Sequence, residues 1–233
     1  MNVKDILLEN INTTSPEMNK ERPQQVYILS PVRHATPDQK IIIKAHVEKI
    51  TRNGDRVFNP VDDAPQDDPT GYNIVMTELT ALHKAAQDGG GVDVLWNLGG
   101  TPSEGSRVDL GMVVALGLEY RLVKEFNEKD PTGPQIAYQI ISKVSGPTEE
   151  MQRTYTNMLQ EGTVVIDWDI EMKDERQEWQ RIQLGLALGC LAHDPNFKIQ
   201  LGELRGEDDP NKKSYPKVIR EIERRQKQSV GNL

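Results

Sequence analysis

The stretch GVDVLWNLGGTPSEGSRVDLGMVVALG, residues 91–117, decides how this chain is read. Val92, Val94, Leu95 and Trp96 make a short apolar run bounded by glycines, the pattern of a strand buried on both faces of a parallel sheet. From Asn97 to Ser106 come three glycines, a proline, a threonine and two serines, which let the backbone turn tightly and aim N–H groups at an oxygen-rich ligand. Asp109 follows in the first turns of a helix. There the helix dipole favours an anion, and a carboxylate can serve as nucleophile or as partner to a developing cation. The same residues admit a plainer account, in which Ser103 or Ser106 caps the helix and Asp109 only complements its dipole. Both accounts stay open at this level.

Working outward, strand and helix signals alternate. VYILS within Gln25–Ser30 reads as a first strand, and Pro31–Pro37 as the loop after it. Asp38–Asn53 carries Ile42, Ala45, Val47 and Ile50 at helical spacing, with Gly54 as the stop. Arg56–Asn59 is a second strand running into a loop rich in proline, aspartate and glycine, and Tyr72–Gln87 is a second helix. With a strand at Tyr120–Phe126, this order predicts a parallel sheet with right-handed crossovers: an α/β, flavodoxin-like (Rossmann-like) sheet flanked by helices. Ligands in such sheets bind outside the carboxyl ends of the strands, so three segments are expected to converge: Ser30–Thr36, Pro60–Tyr72 and Asn97–Asp109.

Composition narrows the function. The 233 residues are 36% hydrophobic and 27% charged, with a formal net charge of −8, which argues against a general nucleic-acid binder. Lys212–Lys227 is the most basic segment, but glutamates interrupt it and it reads as a solvated amphipathic helix. The single cysteine, Cys190, lies in an apolar run and suits a core position in a reducing compartment. No apolar run reaches the length of a membrane span and no signal-peptide core is evident, so a cytoplasmic protein is expected. His34, His46, His83 and His193 are scattered without metal-ligand spacing, and neither the P-loop nor the dinucleotide fingerprint occurs. No metal and no cofactor are expected.

VYILSP after the first strand, the proline-aspartate loop after the second, and GTPSEGSRVDLGMVVALG together resemble the nucleoside 2-deoxyribosyltransferase superfamily, which includes nucleoside monophosphate N-glycosidases. The resemblance covers about residues 25–126. Ser103 and Glu104 fall on the first two positions of the family's last motif, Gly105 and Ser106 on its Gly-Thr pair, Asp109 on its nucleophile and Gly111 on its final glycine. It implies cleavage or transfer of the N-glycosidic bond of a nucleoside or its 5′-monophosphate. Asp109 would be nucleophile or stabiliser, with Asp93 and Glu104 as further acids of the site. Substrate would be bound by Tyr27, Ser30, Pro31, Arg33, Asp63, Asp68, Gly99, Ser103, Gly105 and Ser106, and Arg33 and Arg107 would add charge for a phosphate. The resemblance also implies a homodimer or higher homo-oligomer. It departs from the family at Asp109, one methylene shorter than the usual glutamate. Either the helix sits closer to the ligand, or Glu104 takes the role, or the site binds without turnover, as a nucleotide-binding module would.

Three regions follow: an N-terminal arm over 1–24, the α/β domain over 25–130, and an α/β extension over 131–233. In the arm, Ile6, Leu7, Leu8 and Ile11 form a short apolar patch suited to docking on the body or on a second subunit. The extension reads as strand (138–142), helix (148–160), strand (163–168) and helix (175–191). Its IQLGLALG echoes VDLGMVVALG, with Gln183 where Asp109 stands, as a degenerate repeat would. Asp167, Asp169 and Glu171 follow its second strand, where they face either a ligand or solvent.

Overall fold

A computed structural model of the chain describes residues 23–30, 36–65, 67–95, 104–126, 136–140, 147–171, 175–210 and 212–230. Strand β1 (Gln25–Leu29) is buried along its whole length between β2 (Arg56–Phe58) and β3 (Gly91–Val94). Beyond β3 lies β4 (Tyr120–Phe126), and these four strands are parallel. Helices α1 (Pro37–Arg52), α2 (Pro60–Asp63), α3 (Tyr72–Gln87) and α4 (Glu104–Ala115) alternate with them along the chain. The short α2 falls inside what the sequence presents as loop. Asn59 caps it, and Pro60 opens it where a missing N–H is harmless.

Strand alternation sorts the core into two layers. Tyr27, Leu29, Val92 and Val94 join the apolar faces of α3 and α4, whereas Val26, Ile28 and Leu95 pack with Ile43 and Ile50 of α1. The sheet is therefore covered on both faces, which is why its strands read as continuous apolar runs.

The fifth strand corrects a purely parallel reading. Strand β5 (Ile136–Ile140) pairs antiparallel with β4, giving the order β2-β1-β3-β4-β5. Residues 127–135 are too few for a parallel crossover, which needs a dozen residues or more, so the chain returns antiparallel.

The C-terminal half continues with α5 (Pro147–Glu161), β6 (Thr163–Asp169), α6 (Glu175–His193), β7 (Lys198–Arg205) and α7 (Tyr215–Val230). Strands β6 and β7 pair in parallel as a separate two-stranded sheet. Sequence reading passes over β7 because a register shift puts Leu204 out of phase with Ile199 and Leu201. Its outer edge is closed by α7: Leu201 N–H donates to the Glu223 carboxylate at 2.9 Å, and the Gln226 amide donates to the Phe197 carbonyl at 2.7 Å. Ile166, Trp168, Ile182, Leu184, Phe197, Ile199 and Ile219 join the same core as α3 and α4, so the two halves share one apolar interior. No helix among the described residues is long and apolar enough to cross a membrane.

Candidate functional site

Asp109 stands on α4 one turn ahead of Met112 and Val113, which lock that helix into the core. Its carboxylate turns toward β1. Tyr27, fully buried on the same face of the sheet, donates its hydroxyl to Asp109 Oδ2 at 3.2 Å. The phenol is held by its ring, stacked on Phe58 of β2 with centroids 5.3 Å apart and planes 17° from parallel. The second carboxylate oxygen, Oδ1, is buried with no hydrogen-bond partner among the described residues. Burial raises the Asp109 carboxyl to about 7, against the opposing pull of the Tyr27 hydroxyl bond. Burial likewise pushes the Tyr27 phenol well above its ordinary value, helped by the negative charge of Asp109 and of Glu78 on α3.

Three more of the expected residues gather at this end of the sheet. Ser30 follows β1 and is buried, its Oγ also without a partner among the described residues. Ser106 is buried one turn before Asp109, and Gly105 beside it is half-buried.

Other expectations are redirected. Asp93 pairs with Ile28 in register and so lies on the α1 face of the sheet, opposite Asp109. There it meets His46 of α1, Asp93 Oδ2 to His46 Nε2 at 2.8 Å, with both side chains wholly buried. Strand alternation alone separates the two acids, since Asp93 is one residue from Val92 and Val94. Arg107 points to the opposite flank of α4 and pairs with Glu178 of α6 at 2.9 Å, so it is directed at the C-terminal half and not at a phosphate beside Asp109. Asp63 accepts the Asn59 N–H at 2.7 Å while Asp62 accepts its side-chain amide at 2.8 Å, fixing the first turn of α2. Asp68 takes the Thr70 N–H and hydroxyl at 3.1 and 3.0 Å together with the Asn73 N–H, and so holds the entry to α3. Burial favours the neutral acid there, but the Asn73 and Thr70 donors prevail and hold the Asp68 carboxyl below its ordinary value. Pro31, Arg33, His34, Gly99 and Ser103 lie outside the described residues, as does the side chain of Glu104, which opens α4.

His46, Phe58, Glu78 and Glu178 are the neighbours that sequence reasoning missed. Each sits on a helix or strand selected for its apolar spacing, and nothing local marks which polar residue turns inward.

The C-terminal half has its own depression, of about 180 Å³, at the carboxyl ends of β6 and β7. It does not include Asp109, and its polar groups largely satisfy one another: Asp167 accepts the Glu203 N–H at 2.8 Å, and Arg205 pairs with Glu203 at 3.1 Å. Cys190 is buried with its thiol pushed up to about 12, which keeps it protonated and unreactive. Among the described residues no three His, Cys, Asp or Glu side chains are placed to hold a metal ion. Compared with known proteins, the chain matches no family model and no curated sequence.

Proposed function

We propose that the chain takes a nucleoside or nucleoside 5′-monophosphate at the carboxyl ends of β1 and β3, and that Asp109 acts on its N-glycosidic bond. The observation that carries this reading is the Asp109 carboxylate itself: buried, bonded through one oxygen to Tyr27, with the other oxygen left without a partner among the described residues. A carboxyl kept out of water at a cost to stability, on the helix that follows a central strand of an α/β sheet, marks a functional site better than a dipole-complementing acid does. The strand order β2-β1-β3-β4 agrees with a flavodoxin-like arrangement, with β5 reversed.

Chemically, the C1′–N bond breaks with its electron pair leaving on the base, and positive charge develops at C1′. Asp109 Oδ1 then either bonds to C1′ or stabilises it while water attacks, and a donor or water protonates the departing base. Tyr27 fixes the carboxylate through Oδ2, leaving Oδ1 for the sugar. Asp109 must be ionised for this role, so turnover is expected to rise with pH through about 7.

A second reading has its own observation. An acid held at about 7 is half protonated at neutral pH, and it can hydrogen-bond a nucleotide without attacking it. The deciding experiment incubates the protein with nucleosides and 5′-monophosphates, with and without an acceptor base, and measures free base by chromatography. Release by the natural protein and not by Asp109→Ala supports glycoside chemistry. Thermal stabilisation by one compound, with no base released across the panel, supports the binding module.

A further inference from the structure

Helices α4 and α6 approach each other too closely for side chains to stand between them. A Cβ added to Gly111 would lie 2.8 Å from the Gly185 Cα and nearer still to the Ile182 carbonyl oxygen. One added to Gly185 would lie 2.9 Å from the Gly111 Cα and nearer to the Val108 carbonyl oxygen. One turn on, a Cβ on Gly189 would overlap that of Ala115. Gly111 meets Gly185 and Ala115 meets Gly189, so the helices run parallel. The contacts are also reciprocal, as across a two-fold axis.

The correspondence extends beyond the contact. At the same offset Asp93 falls on Asp167, Glu104 on Glu178, Arg107 on Arg181, Val108 on Ile182 and Asp109 on Gln183. Each half presents helix, strand, helix and strand in that order, with the two strands parallel (α3-β3-α4-β4 and α5-β6-α6-β7). Arg107 of one helix reaches Glu178 of the other.

We infer that the C-terminal half is a built-in partner of the N-terminal half across an internal two-fold, and that α6, through Gly185 and Gly189, positions Asp109. This rests on reading Asp109 as the working carboxylate of the site. The Val108 carbonyl, adjacent in the chain, lies against Gly185, so backbone sets the axis of α4 on one side while Tyr27 engages Asp109 on the other. Backbone against backbone has no side chain to yield. A shift of about 1 Å would carry Asp109 off the Tyr27 hydroxyl and admit water to Oδ1. Of the elements packed against α4, β1 carries Tyr27, bonded to Asp109, and α3 carries Glu78, whose charge acts on Tyr27; α6 carries Glu178, paired with Arg107 on the far flank, and the buried Arg181.

The test uses the full chain carrying Gly189→Ala, and the exchange Ala115→Gly/Gly189→Ala, which restores a single methyl to that contact. The Asp109 carboxyl is followed against pH by carbon-13 NMR without substrate, its resonance assigned by its loss in Asp109→Asn. In Gly189→Ala the midpoint is expected to fall from about 7 toward the ordinary aspartate value by about one pH unit or more. The exchange restores it. If Gly189→Ala does not fold, the lighter intrusion Ala115→Ser carries the same expectation. An unmoved midpoint in a folded but destabilised variant overturns the inference and leaves α6 as packing alone. Base release is read separately: its absence in the natural protein defeats the glycoside reading without touching the midpoint, and an unmoved midpoint defeats this inference while turnover stands.

Discussion

Helices α4 and α6 carry one pattern, Glu-x-x-Arg-Val/Ile-x-Leu-Gly, at residues 104–111 and 178–185, and put it in different surroundings. In α4 the variable position before Leu-Gly is Asp109, buried beneath a sheet that continues through β1 and is closed by α1 on its far face. In α6 it is Gln183, half-buried near a two-stranded sheet. The strand acids differ in the same way: Asp93 is sealed against His46, while Asp167 is exposed and takes a backbone N–H. Packing needs only the glycines and the apolar residues of the pattern, and both halves keep them. The acid at 109 adds nothing that Gln183 fails to supply for packing, and its burial opposes folding once it ionises. That contrast supports the role proposed for the acid.

The comparison can be broken most directly at Asp109. Asp109→Ala is expected to lower base release by about a thousandfold, whereas Gln183→Ala leaves it within about twofold of the natural protein; both are read by chromatography of the free base. Next in size is the pair of strand acids. Asp93→Ala breaks the wholly buried contact with His46 and is expected to destabilise the fold by about 3–5 kcal/mol, against less than about 1 kcal/mol for Asp167→Ala, measured by urea unfolding. Gly111→Ala and Gly185→Ala should each destabilise by about 3 kcal/mol or more, and by similar amounts, because each methyl meets the other helix's backbone. Unequal losses would contradict the two-fold.

A smaller effect follows from pH. Asp109 titrates at about 7 when folded and near 3.8 as an ordinary aspartate. Between those values the folded chain holds a proton that the unfolded chain has lost, so this group's contribution to stability falls as pH rises through the window and is level above it. Asp109→Asn cannot titrate, and its stability relative to the natural protein is expected to improve from pH 4 to pH 7 by a few kcal/mol at most, measured by urea midpoints across that range. The smallest effect is at the sister position. Gln183→Asp should cost under about 1 kcal/mol and titrate close to an ordinary aspartate. A value near that of Asp109 would show that the two surroundings are alike after all.

Much of this was legible locally. The apolar runs at β1 and β3 marked buried parallel strands, helical spacing marked α1 and α3, and an acid after a small-residue loop marked Asp109. The echo between VDLGMVVALG and IQLGLALG was visible too, although Glu104 and Arg107 with their counterparts Glu178 and Arg181 extend it further. Less legible was the fate of the polar residues. Asp63 and Asp68 look the same in a loop whether they bind a ligand or hold helix starts, and it is the helix starts that their hydrogen bonds show. Arg107, which the resemblance offers to a phosphate, pairs with Glu178, 71 residues on in the chain.

By itself the sequence determined the kind of element that most segments form, α2 and β7 apart, and the acid at the start of α4, because periodicity and glycine-rich turns are properties of neighbours along the chain. Tertiary structure alone decided that Asp109 meets Tyr27, 82 residues away. It also decided that Asp93 faces His46 on the opposite side of the sheet, and that two glycine-bearing helices touch backbone to backbone. Those outcomes depend on which faces are brought together and how much water is left between them. Desolvation and pairing arise only when distant segments pack, and no local pattern records them.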